Sequence, residues 1–295
     1  NFQQDQGNFD INPYTLYFHD QQRSQVWAGF MQGDARLRNN LVLNLGLRHD
    51  HYSTFGGTTN PRAALIYRPR EKTTLKLLYA RAFRAPNAYE LYYAGVGSEA
   101  NPHLQPETVN TGELVFEQYL RNRLAIAASA FRYRIRGLIT QQTDPVNDLL
   151  VYRNAEHVDG QGLEFEVRRM STWGLEGAAS YSLQKATINN AQIPNSPRHL
   201  GKARFSLPLF KRRLFASLGL EYVSRRRTLR GDFADGHAVP NLTLFSRNFP
   251  AGWEVSASIY NFSDTRYSDP GGEELRQNMI LQDGTRFRLK ATYTF

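Results

Sequence analysis

The chain has 295 residues, with 36 Lys and Arg against 27 Asp and Glu and a formal net charge of +9. An apolar share of 41% and an aromatic share of 13% exclude a disordered chain. The absence of cysteine excludes a disulfide scaffold, a thiol nucleophile and thiolate metal ligands, and no run of about 18 uncharged apolar residues is present to cross a membrane as a helix.

The chain opens Asn1-Phe2-Gln3-Gln4 without the basic and apolar regions of a signal peptide, so a mature or truncated sequence is expected. Residues 1–23 are Gln-rich, carry Asn12-Pro13 and read as an extracellular loop. From Ser24 onward the hydrophobic period is two, and about thirteen strands are expected. They lie near 24–37, 40–52, 60–68, 73–83, 107–120, 123–139, 158–169, 174–187, 199–208, 213–225, 239–248, 253–263 and 284–295. Leu41, Leu43, Leu45 and Leu47 share one face. Phe131, Tyr133 and Ile135 oppose Arg132, Arg134 and Arg136; Leu214, Ala216, Leu218, Leu220 and Tyr222 repeat the pattern. In the last strand Phe287, Leu289, Ala291, Tyr293 and Phe295 oppose Arg286, Arg288 and Lys290.

These strands run to about ten residues, where soluble sheets favour about five or six. One apolar and one charged face at that length match a transmembrane β-barrel, lipid outside and polar lumen inside. A soluble sandwich with the apolar faces turned inward is the alternative. The links decide between them, because they alternate in length. Short ones fall at 38–39, 68–72, 121–122, 170–172, 209–212 and 250–252; long ones fall at 53–59, 84–106, 141–157, 188–198, 226–238 and 264–283. Outer-membrane barrels have short periplasmic turns and long extracellular loops. An odd strand count beginning outside also conflicts with the even number of bacterial barrels, so further strands are expected ahead of Asn1.

Several boxes punctuate this pattern: Phe83-Arg84-Ala85-Pro86, then Asn101-Pro102-His103-Leu104-Gln105-Pro106-Glu107, then Tyr260-Asn261-Phe262-Ser263-Asp264, and finally Gly284-Thr285-Arg286-Phe287 running to Phe295. In this order and spacing, from about Ser24 to Phe295, the chain resembles the C-terminal part of a TonB-dependent outer-membrane receptor of the siderophore or cobalamin type. The resemblance implies an all-β fold. This would be the C-terminal portion of a barrel of about 22 strands, without its plug domain, filling residues 1–295. It implies a multi-pass protein in the outer membrane of a Gram-negative bacterium that imports a scarce nutrient. The partners implied are a ferric siderophore or cobalamin, the TonB–ExbB–ExbD complex reached through an N-terminal segment not among these residues, the barrel-assembly machinery, and outer-membrane lipid. A docking or adhesin barrel that transports nothing is the other reading.

Residue chemistry assigns the boxes mainly structural work. Phe83 ends a strand at the interface, Pro86 stops pairing, Asn101 and Pro102 shape the return path, and Gly284, Phe287 and Phe295 belong to the closing strand, which resembles an assembly signal. Asn261 and Asp264 read as turn formers. No enzyme constellation occurs: there is no GxSxG, HExxH or phosphate-cradling glycine loop, no catalytic set and no expected cofactor. His49 and His51 form the only close histidine pair and make a weak metal candidate. No basic run is interleaved with a nucleic-acid module, so no nucleic-acid partner is expected. For substrate contact the candidates are Arg84, Tyr89, Tyr92, Tyr93 and Arg226, since phenol rings and guanidinium groups suit a flat, anionic, oxygen-rich chelate. Receptors of this family for haem usually carry a His between the first two boxes; residues 87–100 have none, which lowers haem as a cargo.

Overall fold

The computed structural model describes residues 2–11, 16–95, 97–120, 123–172, 174–210, 213–247, 251–272 and 275–294, with side chains from Asp20 onward. Strands dominate. In chain order they are β1 (Phe2–Ile11), β2 (Leu16–Arg38), β3 (Leu41–Tyr52), β4 (Gly56–Arg70), β5 (Thr73–Arg84), β6 (Glu107–Leu120) and β7 (Leu124–Thr143), followed by β8 (Leu150–Met170), β9 (Glu176–Ile188), β10 (His199–Phe210), β11 (Leu214–Val223), β12 (His237–Ser246), β13 (Trp253–Tyr260) and β14 (Arg286–Tyr293). Each pairs antiparallel with the next, and with two two-residue pieces they form a 16-stranded sheet. Among the described residues β1 and β14 do not pair, so the sheet does not close on itself.

Register shows why this sequence makes two unlike faces. Partners across an antiparallel ladder share a face. One row runs Leu43, Leu65, Leu77, Leu114, Ala130, Leu163 and Leu183. Another runs Gly177, Phe205, Leu218, Leu242, Ile259 and Phe287. Leu77, Leu114, Leu163, Phe205, Leu218 and Phe287 are all exposed. A band of exposed leucine and phenylalanine across many strands is a surface that water does not stabilise, but lipid does. The opposite face is polar. Ser206, Ser217, Thr243, Ser258 and Arg288 form a row there, with the Ser206 hydroxyl donating to Ser217 at 3.0 Å and Thr243 and Ser258 2.9 Å apart. No helix is long and apolar enough to cross a membrane, which says nothing about strands.

The structure corrects four expectations. Residues 2–11 and 16–23 are not loop: β1 pairs with β2 from Phe2 opposite Val26 to Asp10 opposite Phe18, with a register shift before Ile11. The described chain thus has one more long strand than the thirteen expected. The links at 53–59 and 141–157 shrink to 53–55 and 144–149, because β4, β7 and β8 run on past the apolar band. No regular apolar alternation marks these extensions, although Thr58 and Val151 within them are buried.

The fourth correction concerns β7. Phe131 pairs with Glu113 and Gly162, on the polar face, and Tyr133 pairs with Thr111 and Gly160 beside it. The aromatic set therefore faces the lumen side, and Arg132, Arg134 and Arg136 share the face of Leu114 and Ala130. The reason lies on the neighbouring strand. A Cβ at Gly162 would stand 2.6 Å from Phe131 Cζ, and one at Gly160 would collide with the Tyr133 ring. Each ring fills the hollow left by a missing side chain.

Asn261 and Asp264 do form a turn, with φ of 51° and 50°. The Asn261 amide donates to the carbonyls of Thr265 and Asp283 at 2.9 and 3.4 Å. A Cβ at Gly284 would collide with Asp264 Oδ1, the atom that accepts from the Thr285 amide at 3.1 Å. Phe287 lies on the exposed apolar face opposite Ile259. The final residue, Phe295, lies outside the described residues.

Candidate functional site

The link between β5 and β6 carries the first two boxes, and it folds around its own small core. Pro86 is buried and ends the pairing of β5. Asn87 then caps α1 (Ala88–Tyr92): its side chain accepts from the Glu90 amide, and the Glu90 carboxylate accepts from the Asn87 amide at 2.9 Å. This reciprocal capping box lets a five-residue helix stand. Leu91, Leu104 and Ile139 pack together beneath it, with Tyr92 and Tyr152 against them. Asn101 holds the return path, donating from its amide to the Tyr152 carbonyl at 2.8 Å. Pro102 is exposed and sits in the turn that this bond anchors. Phe83 meets the Tyr52 ring edge-on at 5.9 Å.

Charge locks the same loop. Arg84 donates from Nε and Nη2 to the two oxygens of Glu107 at 2.8 and 2.6 Å, and from Nη1 to Glu90 at 3.0 Å. Glu107 also accepts from the buried Ile139 amide at 2.9 Å. Burial pushes the Glu107 carboxyl up, but the Arg84 and Ile139 hydrogen bonds outweigh it and hold the group below its ordinary value. Arg84 is raised in turn, first by Glu107 and then by Glu90.

On this scaffold the tyrosines form a platform. Tyr89 and Tyr93 stack with ring centroids 4.4 Å apart, and Tyr152 meets Tyr89 edge-on at 6.2 Å. The Tyr152 phenol is raised, by burial first and then by Tyr89 and Glu90. Tyr152 was not legible as a site residue: it lies where the sequence reads as loop and belongs to no box. Of the candidates, Arg84, Tyr89, Tyr92 and Tyr93 are thus brought into one loop, with Tyr92 turned toward the core.

Arg226 lies elsewhere. It sits in a ribbon of residues 226–227 and 233–234, beside a second ribbon of 268–270 and 279–281. The residue is 8% exposed, and its guanidinium donates to Asp269 at 2.5 Å and Asn195 at 3.2 Å. His237 stacks on Tyr267 at 3.9 Å in the same region, and its ring is held below its ordinary value by burial and then by Arg226. Arg226 therefore ties two loops together. His49 and His51 both contact Trp27, with centroids 6.1 and 5.1 Å away. Among the described residues no cluster of three or more His, Asp or Glu side chains could hold a metal.

Chemically, the loop offers stacked rings, phenol hydroxyls and a guanidinium whose charge two carboxylates already answer. A family model described as TonB dependent receptor-like, beta-barrel, matches residues 1–262. An iron-regulated outer membrane virulence protein of Vibrio cholerae is 25% identical over 298 residues, covering 91% of this chain and 44% of the relative. The vitamin B12 transporter BtuB of Vibrio cholerae is 26% identical over 245 residues, covering 78% and 37%. The chain thus spans less than half the length of these relatives. A crystal structure of the ferric-catecholate import receptor Fiu from E. coli K12 superposes with a TM-score of 0.77 at 19% identity, covering 99% of this chain and 50% of that one. At that identity the likeness is one of fold.

Proposed function

We propose, from the premise that the chain belongs to the TonB-dependent receptor β-barrel family, that the protein carrying it imports a ferric siderophore across a Gram-negative outer membrane. The observation that carries the cargo is the Tyr89–Tyr93–Tyr152 platform on the link between β5 and β6. Flat aromatic faces attract flat, delocalised ligands, and phenol hydroxyls donate to anionic oxygens. A ferric chelate presents both. The same loop end also supports the site's rigidity, because the Arg84 lock and the Asn87 cap fix the platform before ligand arrives.

Arg84 and Arg226 act in this reading as positioning residues, since Arg84 donates to the carboxylates of Glu107 and Glu90, and the buried Arg226 to Asp269 and Asn195. Energy would come from TonB–ExbB–ExbD acting on parts of the protein other than these residues, and insertion would use the barrel-assembly machinery. Radiolabelled ferric siderophores, cobalamin and haem offered to the intact receptor in an iron-starved host test the reading. Siderophore iron should enter in a receptor-dependent way. Receptor-dependent entry of cobalamin alone would overturn the cargo.

A further inference from the structure

The positive charge of the chain is gathered at one end. The six short turns with their strand ends, 36–41, 68–73, 120–124, 168–176, 210–214 and 246–254, hold thirteen Lys and Arg against Glu71, Glu176 and Glu254. That excess is larger than the +9 of the whole chain. Every turn presents an exposed cation: Arg38, Arg70, Arg123, Arg169, Arg213 and Arg247. Among the described residues no acidic side chain pairs with Arg38, Arg70, Arg123, Arg169 or Arg247. At the other end cations are answered, as in Arg48–Asp50, Arg84–Glu107, Arg134–Asp159 and Arg226–Asp269. Backbone bonds fix the array. The Arg68 amide donates to the Asn40 carbonyl at 2.8 Å, Tyr119 to Lys72 at 2.8 Å, Met170 to Arg123 at 3.0 Å and Arg247 to Arg213 at 2.9 Å. Strand spacing sets successive turns about 10 Å apart, along an arc of about 50 Å. Between the third and fourth turns, Arg123 and Arg169 line a cleft of about 570 Å³ with Ser171 and Thr172, and no Asp or Glu lines it.

We propose that this end of the barrel docks on peptidoglycan, the carboxylate-bearing polymer layer that short periplasmic turns face. Charge and spacing carry the inference. The stem peptides of that polymer repeat free carboxylates, and guanidinium groups pair with carboxylates through two parallel hydrogen bonds. A compact anion would meet one or two turns. Cations set about 10 Å apart on a fixed rim match an extended polyanion instead. The array also spans both faces of the sheet. Arg169 lies opposite Leu124 and Gly177 on the apolar face. Arg247 lies 4.7 Å over the Phe215 ring, on the side of the Ser217 and Thr243 hydroxyls. Lipid headgroups would reach the first and not the second. This inference rests on the outer-membrane reading above.

The test uses the whole receptor, purified from outer membranes in mild detergent, and reads the fraction that sediments with isolated peptidoglycan sacculi. The parent should sediment, and less so as salt rises. Sacculi whose carboxyl groups have been converted to amides should not carry it down. The variant combining Arg70→Gln, Arg123→Gln, Arg169→Gln and Arg247→Gln should bind about tenfold or more weakly, from roughly twofold per exposed cation. Removing as many cations at the other end, with Arg81→Gln, Arg132→Gln, Arg136→Gln and Lys185→Gln, should leave binding unchanged. Phosphatidylglycerol in the same micelles should not compete. Equal sedimentation with amidated sacculi, unaltered binding by the short-turn variant, or displacement by phosphatidylglycerol would overturn the proposal. The amidated sacculi probe the parent itself, so the test holds even where a variant fails to fold. Siderophore uptake is a separate measurement on the opposite end of the barrel, so failure here leaves the import reading standing.

Discussion

Arg84, the last residue of β5, and Glu107, the first of β6, close the base of the loop that carries the first two boxes with two parallel hydrogen bonds at 2.8 and 2.6 Å. The pair sits where the strands leave the apolar band, and a third bond from the Ile139 amide ties β7 to it. Glu107→Gln should loosen the loop by about 1–3 kcal/mol, because the Arg84 and Ile139 donors lose an anionic acceptor. Limited proteolysis within residues 88–100 should quicken, while heat-modifiable barrel formation persists.

The same carboxylate sets a pH dependence. Its folded value lies below the ordinary 4.5. The pairing therefore contributes in full above the unfolded value and is lost as pH falls through the folded one. The exchange protection of the Ile139 amide, relative to its intrinsic rate, should weaken below about pH 4.5 in the parent, and Glu107→Gln should flatten that response. A parallel response in both would contradict the assignment.

His237 gives the opposite loop a response nearer neutrality. Its ring is held below 6.5 by burial and by Arg226; the Asp235 backbone and Asp269 oppose this without cancelling it. The unfolded loop then binds more protons, so stability falls as pH drops through 6.5 toward the folded value. Exchange protection of residues 226–238 should weaken between pH 7 and 5, and His237→Phe, which keeps a ring for Tyr267, should abolish the change.

The face assignment is tested by paired substitutions. Leu218→Arg places a charge on the apolar band at a cost of roughly 2–4 kcal/mol if near the midplane, whereas Ser217→Arg joins the hydroxyl row of the polar face. The first should impair heat-modifiable barrel assembly and the second should be mild. On β7 the register makes a sharper demand: Ala130→Arg should be the damaging change and Phe131→Arg the tolerated one. A reading by hydrophobicity alone expects the reverse order.

That reversal shows what alternation can and cannot reveal. Where a strand crosses the band, one face is apolar by necessity, and Leu41 to Leu47 or Leu214 to Tyr222 reveal it directly. Phe131 and Tyr133 mislead because they are large for a local reason: Gly162 and Gly160 lie on a strand about thirty residues away in sequence, and only pairing shows the hollow. The β1–β2 hairpin was missed because its sequence, rich in Gln, Asp and Asn, carries no sustained apolar alternation. Of the candidate site, the tyrosines of the box-bearing loop were legible as a composition, but Tyr152 was not, since its contact with Tyr89 is long-range in sequence. Arg226, expected as a substrate contact, is 8% exposed and bonds Asp269, a partner too distant in sequence to be read from pattern.

Gly284 offers a compact check on the closing strand. A methyl group there meets Asp264 Oδ1, so Gly284→Ala should break the bond to the Thr285 amide and destabilise the turn by about 1–3 kcal/mol. Asp264→Ala combined with it should recover part of the loss in the thermal transition, since the clash is then gone.

The central claim is that this receptor takes up siderophore iron through the tyrosine platform above β5 and β6. Its most direct measurement is the initial rate of radioiron entry from a ferric catecholate siderophore, comparing the intact receptor with its Tyr89→Ala, Tyr93→Ala and Tyr152→Ala triple variant at matched outer-membrane levels. Loss of three stacking faces should cut uptake at limiting siderophore by about tenfold or more. A triple variant that imports iron at the parent rate would contradict the claim.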